Sequence, residues 1–232
     1  MRIVKISEET DYPFSDTIML KISAPKPVQF PLYLRIPHWC DKPLANLNGN
    51  KLSLKAKALS YAIIDRQWSD GDTVTLQFPM QIMMRKWEKN HNAVSVDYGP
   101  LSFSLRIGEK WTRYGDNKTW PEWEVFPTTA WNYGLVLNER NPARSFEIVH
   151  RPGQMPANPF TRDNAPMMLL AKAKKIPRWE MDSLGLVGKL QDSPVKSNEP
   201  TETITLIPMG AARLRISAFP QIAEEAGSHE WK

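Results

Sequence analysis

Apolar and polar side chains alternate along much of the first half of the chain, which is the pattern of strands that bury one face. The alternation is clearest at residues 18–22, 32–36, 94–98 and 101–105. Turn sequences separate the alternating segments. Asn48-Gly49 favours a two-residue hairpin turn, and Asp70-Gly71 ends one segment shortly before another begins at Val74. Strands at this spacing predict an antiparallel β-sandwich.

The alternation weakens after residue 107. Residues 108–132 hold four tryptophans among charged and polar side chains, and residues 151–166 hold four prolines. Strands are predicted at 146–148, 204–207 and 214–216, and the stretch 184–200 is polar. We therefore predict a first β-sandwich at residues 8–107, a second, loop-rich β region at 108–220 and a flexible tail at 221–232.

The composition supports an all-β protein. The chain has 232 residues, of which 41% are hydrophobic, enough for one large or two small cores. Its 20 prolines break helices and favour turns, strand ends and sheet edges. The predicted fold class is therefore all-β: an antiparallel, jelly-roll-like β-sandwich architecture with two sandwich regions.

Charge and hydropathy argue against several classes of partner. The formal net charge is only +5, and no nucleic-acid motif accompanies the densest basic group, so we interpret that group as a solvated loop. It consists of Lys172, Lys174, Lys175 and Arg178. No apolar run reaches the roughly 18 residues of a membrane span. The first residues lack the apolar core of a signal peptide and resemble a first strand, so the localisation stays unknown.

The sequence offers no complete metal or nucleophile site. A structural zinc needs about four ligands, but the one cysteine, Cys40, and the four histidines are scattered, and only His38 lies close to Cys40. We therefore predict no metal and no cofactor, and we interpret Cys40 as a small buried thiol. The chain also lacks a G-x-S-x-G sequence and a phosphate-binding glycine loop. No catalytic residue is assigned.

Aromatic side chains are the strongest sign of a binding surface. Nine tryptophans are many for this length, and a Trp ring can stack on the C–H face of a sugar while polar neighbours bind its hydroxyl groups. Trp39 and Trp68 lie beside strong strand patterns and are expected in the core. The candidates for contact with carbohydrate or with another domain are Trp120, Glu122, Trp123, Glu124, Trp131, Asn132 and Tyr133.

Two other interpretations of these candidates stay open. Trp123 and Trp131 could instead fill the core of the second region. Glu122 and Glu124 share one face of an extended strand and could form the carboxylate pair of a glycosidase, whose members lie about 5–10 Å apart. Acidic pairs of this kind also arise readily by chance among 25 acidic residues.

Eight short motifs stand in a defined order between residues 8 and 220. They are Thr10-Asp11-Tyr12-Pro13-Phe14, Leu34-Arg35-Ile36-Pro37-His38-Trp39, Asn48-Gly49, residues 61–72, Phe78-Pro79-Met80, Tyr98-Gly99-Pro100-Leu101, Trp131-Asn132-Tyr133-Gly134-Leu135 and residues 204–220. In this order they resemble the segments that follow the catalytic barrel in DUF1680 glycoside hydrolases, the β-L-arabinofuranosidase family GH127. Each motif alone is weak, whereas six or more in the right order are specific.

The resemblance implies a catalytic (α/α)6 barrel before the matched segment, with a catalytic cysteine, an acid/base glutamate and zinc ligands. No motif of that barrel occurs in this chain, and Cys40 is not identified with the catalytic cysteine. The implied function is a non-catalytic accessory β-sandwich module of a glycan-degrading enzyme. Its implied partners are a barrel domain of the same or a neighbouring polypeptide and plant-type or other glycans, and the implied location of a parent enzyme is the bacterial periplasm or the cell exterior.

Two alternatives of a different class stay open, and each makes its own structural prediction. An independent carbohydrate-binding module predicts a polar surface with one aromatic platform. A self-contained hydrolase predicts Glu122 and Glu124 close together in a cleft. The accessory module predicts exposed apolar surface where the barrel would lie.

Overall fold

The computed structural model describes residues 3–138 and 140–223, and its regular structure consists mainly of strands. All pairs of named strands are antiparallel, so the predicted all-β, antiparallel fold is confirmed. The chain divides into two compact units, Met1–Gln81 and Ile82–Lys232. Within the described ranges, no helix combines the length and the apolar character that a membrane crossing requires.

The first unit consists of two sheets around one core. Its strands are β1 (Lys5–Thr10), β2 (Thr17–Ser23), β3 (Val28–Arg35), β4 (Leu44–Leu47), β5 (Asn50–Leu52), β6 (Tyr61–Trp68) and β7 (Thr73–Gln77). One sheet has the order β1-β2-β7-β4-β5, and β3 pairs with β6 in the other. Apolar side chains from both sheets meet in a single core, in which Ile22, Trp68 and Val74 are fully buried. This arrangement is a β-sandwich, as predicted.

Both turn sequences of the first unit form turns. Asn48 and Gly49 have φ values of 51° and 78°, and they join β4 to β5 with Leu47 paired to Asn50. A backbone of this hand in a two-residue turn suits Asn-Gly, because neither residue carries a branched Cβ. Gly71, with a φ of 84°, lies in the turn from β6 to β7. That turn connects the two sheets, since β6 pairs with β3 and β7 pairs with β2 and β4.

Asp72 ties these two turns together. Its buried carboxylate accepts hydrogen bonds from the backbone N–H of Ser69 (2.8 Å) and from the side-chain amide of Asn48 (2.7 Å). Arg66 lies 3.6 Å from the same carboxylate. The hydrogen bond from Ser69, followed by that from Asn48, holds the pKa of Asp72 below its ordinary value. The conserved chemistry of both turns therefore depends on one ionised side chain.

The two tryptophans of the first unit are buried, as predicted. Trp68 donates a hydrogen bond from Nε1 to the carbonyl of Phe30 (2.9 Å) and stacks on the Phe30 ring at 5.6 Å. Trp39 packs edge-to-face against Phe78 at 6.2 Å. Cys40 is buried beside them in the same core, and this burial raises the pKa of its thiol.

The second unit is built on a seven-stranded sheet. Its strands are β8 (Ile82–Trp87), β9 (Ala93–Tyr98), β10 (Leu101–Leu105), β11 (Glu109–Tyr114), β12 (Glu122–Pro127), β13 (Tyr133–Leu135), β14 (Phe146–His150), β15 (Met167–Lys175) and β16 (Thr201–Pro208), with 3-10 helices at Pro142–Ser145 and Met209–Ala211. The order is β13-β15-β16-β10-β9-β8, and β14 also pairs with β15. Strands β11 and β12 form a separate two-stranded sheet.

The division of the structure differs from the boundary that the sequence suggests between residues 107 and 108. Strand β10 pairs with β16, with Phe103 opposite Pro208, so residues 82–105 join the sheet of the second unit. The predicted tail at 221–232 differs as well. Gln221 and Ile222 exchange backbone hydrogen bonds with Val195 and Leu135, and Ile222 is buried. Residues 224–232 lie outside the described residues.

Two local predictions in the second unit are wrong. Residues 214–216 are irregular, although Ile216 accepts a backbone hydrogen bond from Leu105. The basic residues interpreted as a solvated loop lie largely in β15, where Lys172 donates to Thr203 (2.8 Å) and Lys175 pairs with Glu202 (2.8 Å). Their charged ends lie outside the sheet while alternate apolar residues of β15 are buried, so a central strand can carry three lysines.

Candidate contact surface around an apolar cleft

Strands β11 and β12 form an exposed element, which we call the ribbon. The two strands pair over six residue pairs, from Glu109 opposite Pro127 to Tyr114 opposite Glu122. The base of the ribbon is fixed by Gly108, whose N–H donates to Thr129 Oγ1 (2.9 Å) and whose carbonyl accepts from the N–H of Thr128 (2.8 Å). Most side chains of the ribbon are exposed, because a two-stranded sheet has no second layer of its own.

The ribbon presents two chemically different faces, because successive side chains of a strand point to opposite sides. One face carries Lys110, Thr112, Tyr114, Glu122, Glu124 and Phe126, and the other carries Glu109, Trp111, Arg113, Trp123, Val125 and Pro127. On the second face, Trp111 and Trp123 pack edge-to-face with ring centroids 6.3 Å apart.

Residues 181–187 form a second exposed element, which we call the apolar loop. The side chain of Asp182 accepts hydrogen bonds from the N–H groups of Leu184 and Leu186 (both 2.9 Å), and its own N–H donates to the Leu186 carbonyl (2.8 Å). These bonds fix a tight loop whose tip contains Gly185, with a φ of 75°. Leu184 is 80% exposed and Leu186 is 60% exposed, so a rigid loop presents large aliphatic side chains to solvent.

A cleft of about 390 Å³, which we call the apolar cleft, lies between the ribbon and the apolar loop. Its walls include Phe126 from the ribbon, Leu186 from the loop and Trp131. Trp131 is held in place by an edge-to-face contact with the buried Trp179, at 5.2 Å. Glu124 and Arg215 are the ionisable groups among the residues that line the cleft. The arrangement suits an apolar partner that also offers a few polar groups.

The structure places the predicted residues of the ribbon at different positions. Glu124 lines the apolar cleft, whereas Trp120, Glu122 and Trp123 do not. Trp120 is 77% exposed beyond the ribbon's strands, and Trp123 is 50% exposed on the face that it shares with Trp111. Glu122 and Glu124 share one ribbon face, as the strand pattern predicts. Of these two carboxylates, only Glu124 belongs to the cleft wall.

Residues 1–80 match the family model described as the middle domain of GH127 β-L-arabinofuranosidase. The matched segment corresponds to the first unit, Met1–Gln81. The resemblance to glycoside hydrolase family 127 is confirmed. No curated protein sequence matches the chain.

Solved GH127 structures resemble most of the chain. A GH127 β-L-arabinofuranosidase from Geobacillus stearothermophilus T6 is 25% identical, with a TM-score of 0.59, over 94% of this chain and 29% of its own. A GH127 β-arabinofuranosidase shares the fold at 20% identity and a TM-score of 0.62, over 95% of this chain and 32% of its own. The chain thus spans about a third of the length of the GH127 structures that it matches.

The segment that resembles the GH127 sequence WNYGL has mainly packing contacts in this structure. Asn132 donates from Nδ2 to the carbonyls of Ile176 (3.0 Å) and Trp179 (3.2 Å). Tyr133 is buried and donates to Glu202 (2.9 Å); burial, and secondly this hydrogen bond, raise the pKa of Tyr133. Of the three polar and aromatic candidates in the segment, Trp131 alone lines the apolar cleft.

The sequence analysis did not find the apolar loop. It lies in a stretch that is polar on average, and its signal is local: four large apolar side chains surround Gly185 and follow Asp182. In the described ranges, no group of three or more His, Cys, Asp and Glu side chains lies close enough together to hold a metal ion. The surface of the second unit is therefore described here by its apolar and aromatic groups.

Proposed function

We propose that this chain is a non-catalytic accessory β module of a glycan-degrading, GH127-like β-L-arabinofuranosidase. In this proposal, the ribbon and the apolar loop of the second unit contact a catalytic (α/α)6 barrel domain of the same or a neighbouring polypeptide. The first unit supplies the sandwich that matches the GH127 middle domain. The substrate of the whole enzyme is expected to be a plant-type or other arabinofuranose-containing glycan.

The observation that carries the proposal is the exposed apolar surface on both sides of the apolar cleft. Phe126 is 44% exposed on the ribbon, and Met181 and Val187 are about half exposed beside Leu184 and Leu186 on the loop. Single exposed apolar residues are ordinary, but a contiguous group marks an interaction surface. Aromatic residues and Met are enriched in the centres of protein interfaces, which favours a protein domain as the partner.

The rigidity of this surface also supports a docking role. The ribbon is anchored at Gly108, and the apolar loop is closed by Asp182 and by the hydrogen bond from the N–H of Gly188 to the carbonyl of Glu180 (2.9 Å). Trp179 donates from Nε1 to the carbonyl of Gly188 (3.1 Å), which fixes the loop to the core. A preorganised surface loses little conformational entropy when a partner binds.

The test mixes the purified chain with a separately purified (α/α)6 barrel domain from the GH127-like enzyme of the same genome. Analytical ultracentrifugation is expected to show a one-to-one complex. The Leu184→Asp/Leu186→Asp variant should form this complex at least about tenfold more weakly, because each buried leucine contributes about 1.5–3 kcal/mol. Leu59→Asp, which changes an equally exposed leucine of the first unit, is the matched control and should bind like the parent.

Two results would overturn the proposal. One is the absence of a complex at any concentration tested, or a complex that the double variant leaves unchanged. The other is catalysis by the chain alone: a purified sample should not hydrolyse 4-nitrophenyl β-L-arabinofuranoside. Turnover that survives repurification and disappears in Glu122→Gln or Glu124→Gln would make the chain a hydrolase in its own right.

A further inference from the structure

A second cleft, of about 260 Å³, lies against the other face of the ribbon, and we call it the polar cleft. Glu109 and Trp111 of the ribbon form one side of it. Residues 160–163 and Arg213 form much of the rest. The polar cleft shares no lining residue with the apolar cleft, so the two can have different ligands.

Two aromatic rings line the polar cleft, and both are held in defined positions. Trp111 is 48% exposed; its Nε1 donates to Glu109 Oε2 (3.1 Å), and Trp123 packs against it edge-to-face. Phe160 lies close to Gly210, where an added Cβ would come within 2.9 Å of the Phe160 ring. A fixed and half-exposed indole offers a flat apolar surface at low cost in conformational entropy.

The charges of the polar cleft are unevenly compensated. The carboxylate of Asp163 pairs with both Arg162 (3.0 Å) and Arg106 (2.8 Å), and the hydrogen bond from Arg162, followed by that from Arg106, holds the pKa of Asp163 below its ordinary value. The carboxylate of Glu109 accepts the indole N–H of Trp111. By contrast, the guanidinium of Arg213 has no ion-pair or hydrogen-bond partner among residues 3–138 and 140–223.

Thr161 adds an unsatisfied polar group to the wall of this cleft. Its Oγ1 is buried and has no hydrogen-bond partner among the residues described. Buried polar atoms are normally paired, because an unpaired one costs about 1–3 kcal/mol. The cleft therefore combines an aromatic surface, an uncompensated cation and an unused hydroxyl group.

We propose that the polar cleft binds an acidic sugar unit of a glycan, with the sugar ring stacked on Trp111 and a uronate carboxylate paired with Arg213. The C–H face of a pyranose ring suits an exposed indole, and the planar guanidinium suits a carboxylate, which it can bind through two hydrogen bonds. The choice of a sugar among ring-shaped anions rests on the proposed function. Barrel docking does not depend on this site, because no residue of the polar cleft belongs to the apolar loop.

The probe is tetragalacturonate, and the neutral tetrasaccharide of galactose is its matched control. Isothermal titration calorimetry should detect saturable binding of tetragalacturonate and affinity at least about tenfold lower for the neutral tetrasaccharide, as expected from the loss of one charge-assisted pair. Trp111→Ala and Arg213→Gln should each weaken binding by a similar factor. Trp120→Ala removes an even more exposed indole that lines neither cleft, and it should bind like the parent.

Three outcomes would overturn this inference: no saturable binding of tetragalacturonate, equal affinity for the two tetrasaccharides, or unchanged affinity in both the Trp111→Ala and Arg213→Gln variants. Near-ultraviolet circular dichroism checks that both variants keep the parent fold. The result can be separated from the docking test, since Arg213→Gln should still form the barrel complex and Leu184→Asp/Leu186→Asp should still bind tetragalacturonate.

Discussion

The two units treat their tryptophans differently. In the first unit, Trp39 and Trp68 are buried between two sheets. In the second unit, Trp111, Trp120 and Trp123 are exposed on or beside the ribbon, with 48%, 77% and 50% of their surfaces accessible. The difference follows from layers, because a strand that faces a second sheet buries its aromatic residues, while a lone two-stranded ribbon has nothing to cover them.

This comparison shows that the number of tryptophans by itself does not identify a binding surface. The same residue type stabilises the sandwich of the first unit and projects from the second. An exposed Trp costs free energy in water unless a partner covers it part of the time, so the exposed group has more bearing on function. The comparison makes predictions about which side chains stabilise the fold and which do not.

The largest expected effect is on the first unit's core. Trp68→Ala removes a fully buried indole that also donates to the Phe30 carbonyl, so it should lower the free energy of unfolding by about 3–5 kcal/mol. Urea denaturation followed by circular dichroism measures the change. A loss below about 1 kcal/mol would mean that the sandwich does not depend on this ring, and the contrast between the units would fail.

A smaller loss is expected for the carboxylate that joins the two turns of the first unit. Asp72→Ala leaves the Ser69 N–H and the Asn48 amide without an acceptor, which should cost about 2 kcal/mol at pH 7. Asp65→Ala, which changes an exposed carboxylate on β6, is the control and should cost under about 0.5 kcal/mol.

The Asp72 contribution should also depend on pH in a defined direction. Because the pKa of Asp72 is lower in the folded chain, its stabilising effect is complete above the ordinary value of 3.8 and is lost as the pH falls through the lowered folded value. The difference in stability between the parent and Asp72→Ala should therefore shrink below a pH of about 4. A difference that stays constant across this range would contradict an ionised, hydrogen-bonded Asp72.

Asn132→Ala should have an intermediate effect in the second unit. The variant loses two hydrogen bonds to the carbonyls of Ile176 and Trp179, each of which contributes roughly 0.5–1.5 kcal/mol. We expect a lower melting temperature and an unchanged affinity for the barrel domain. Weaker docking at an unchanged melting temperature would instead make Asn132 a contact residue.

The smallest effect is expected for the ribbon. Trp123→Ala should change the free energy of unfolding by less than about 0.5 kcal/mol, because half of its side chain is already in water. Side by side with Trp68→Ala, it is the sharpest form of the comparison between the units. A loss of about 3 kcal/mol or more would show that the Trp123 ring is part of a core.

The sequence predicted those strands that are flanked by turns and bury one face. Alternation and the Asn48-Gly49 and Gly99-Pro100 turns located β2, β3, β9 and β10. Strand β15 was missed because its first residues, Met167 to Leu170, are apolar on both faces, while its end is rich in lysine. The strand predicted at 214–216 was wrong because an apolar alternation of three residues does not supply a pairing partner.

The candidate site was predictable only in its aromatic part. Trp131 and Glu124 line the apolar cleft, but Asn132 and Tyr133 are bound to backbone and core groups that the sequence does not place beside them. The apolar loop depends on the Asp182 turn, whose effect is to keep Leu184 and Leu186 outside the core. Which residues face a cleft is set by tertiary pairing rather than by local pattern.

The central claim, that the second unit carries the contact surface for a catalytic barrel, is tested most directly by hydroxyl-radical footprinting of the chain with and without the barrel domain. The account predicts that the barrel lowers the oxidation of Met181, Leu184, Leu186 and Phe126, while Tyr33 and Tyr61, equally exposed on the first unit, keep their oxidation rates. Protection of Tyr33 and Tyr61 with unchanged oxidation of the apolar loop would contradict it.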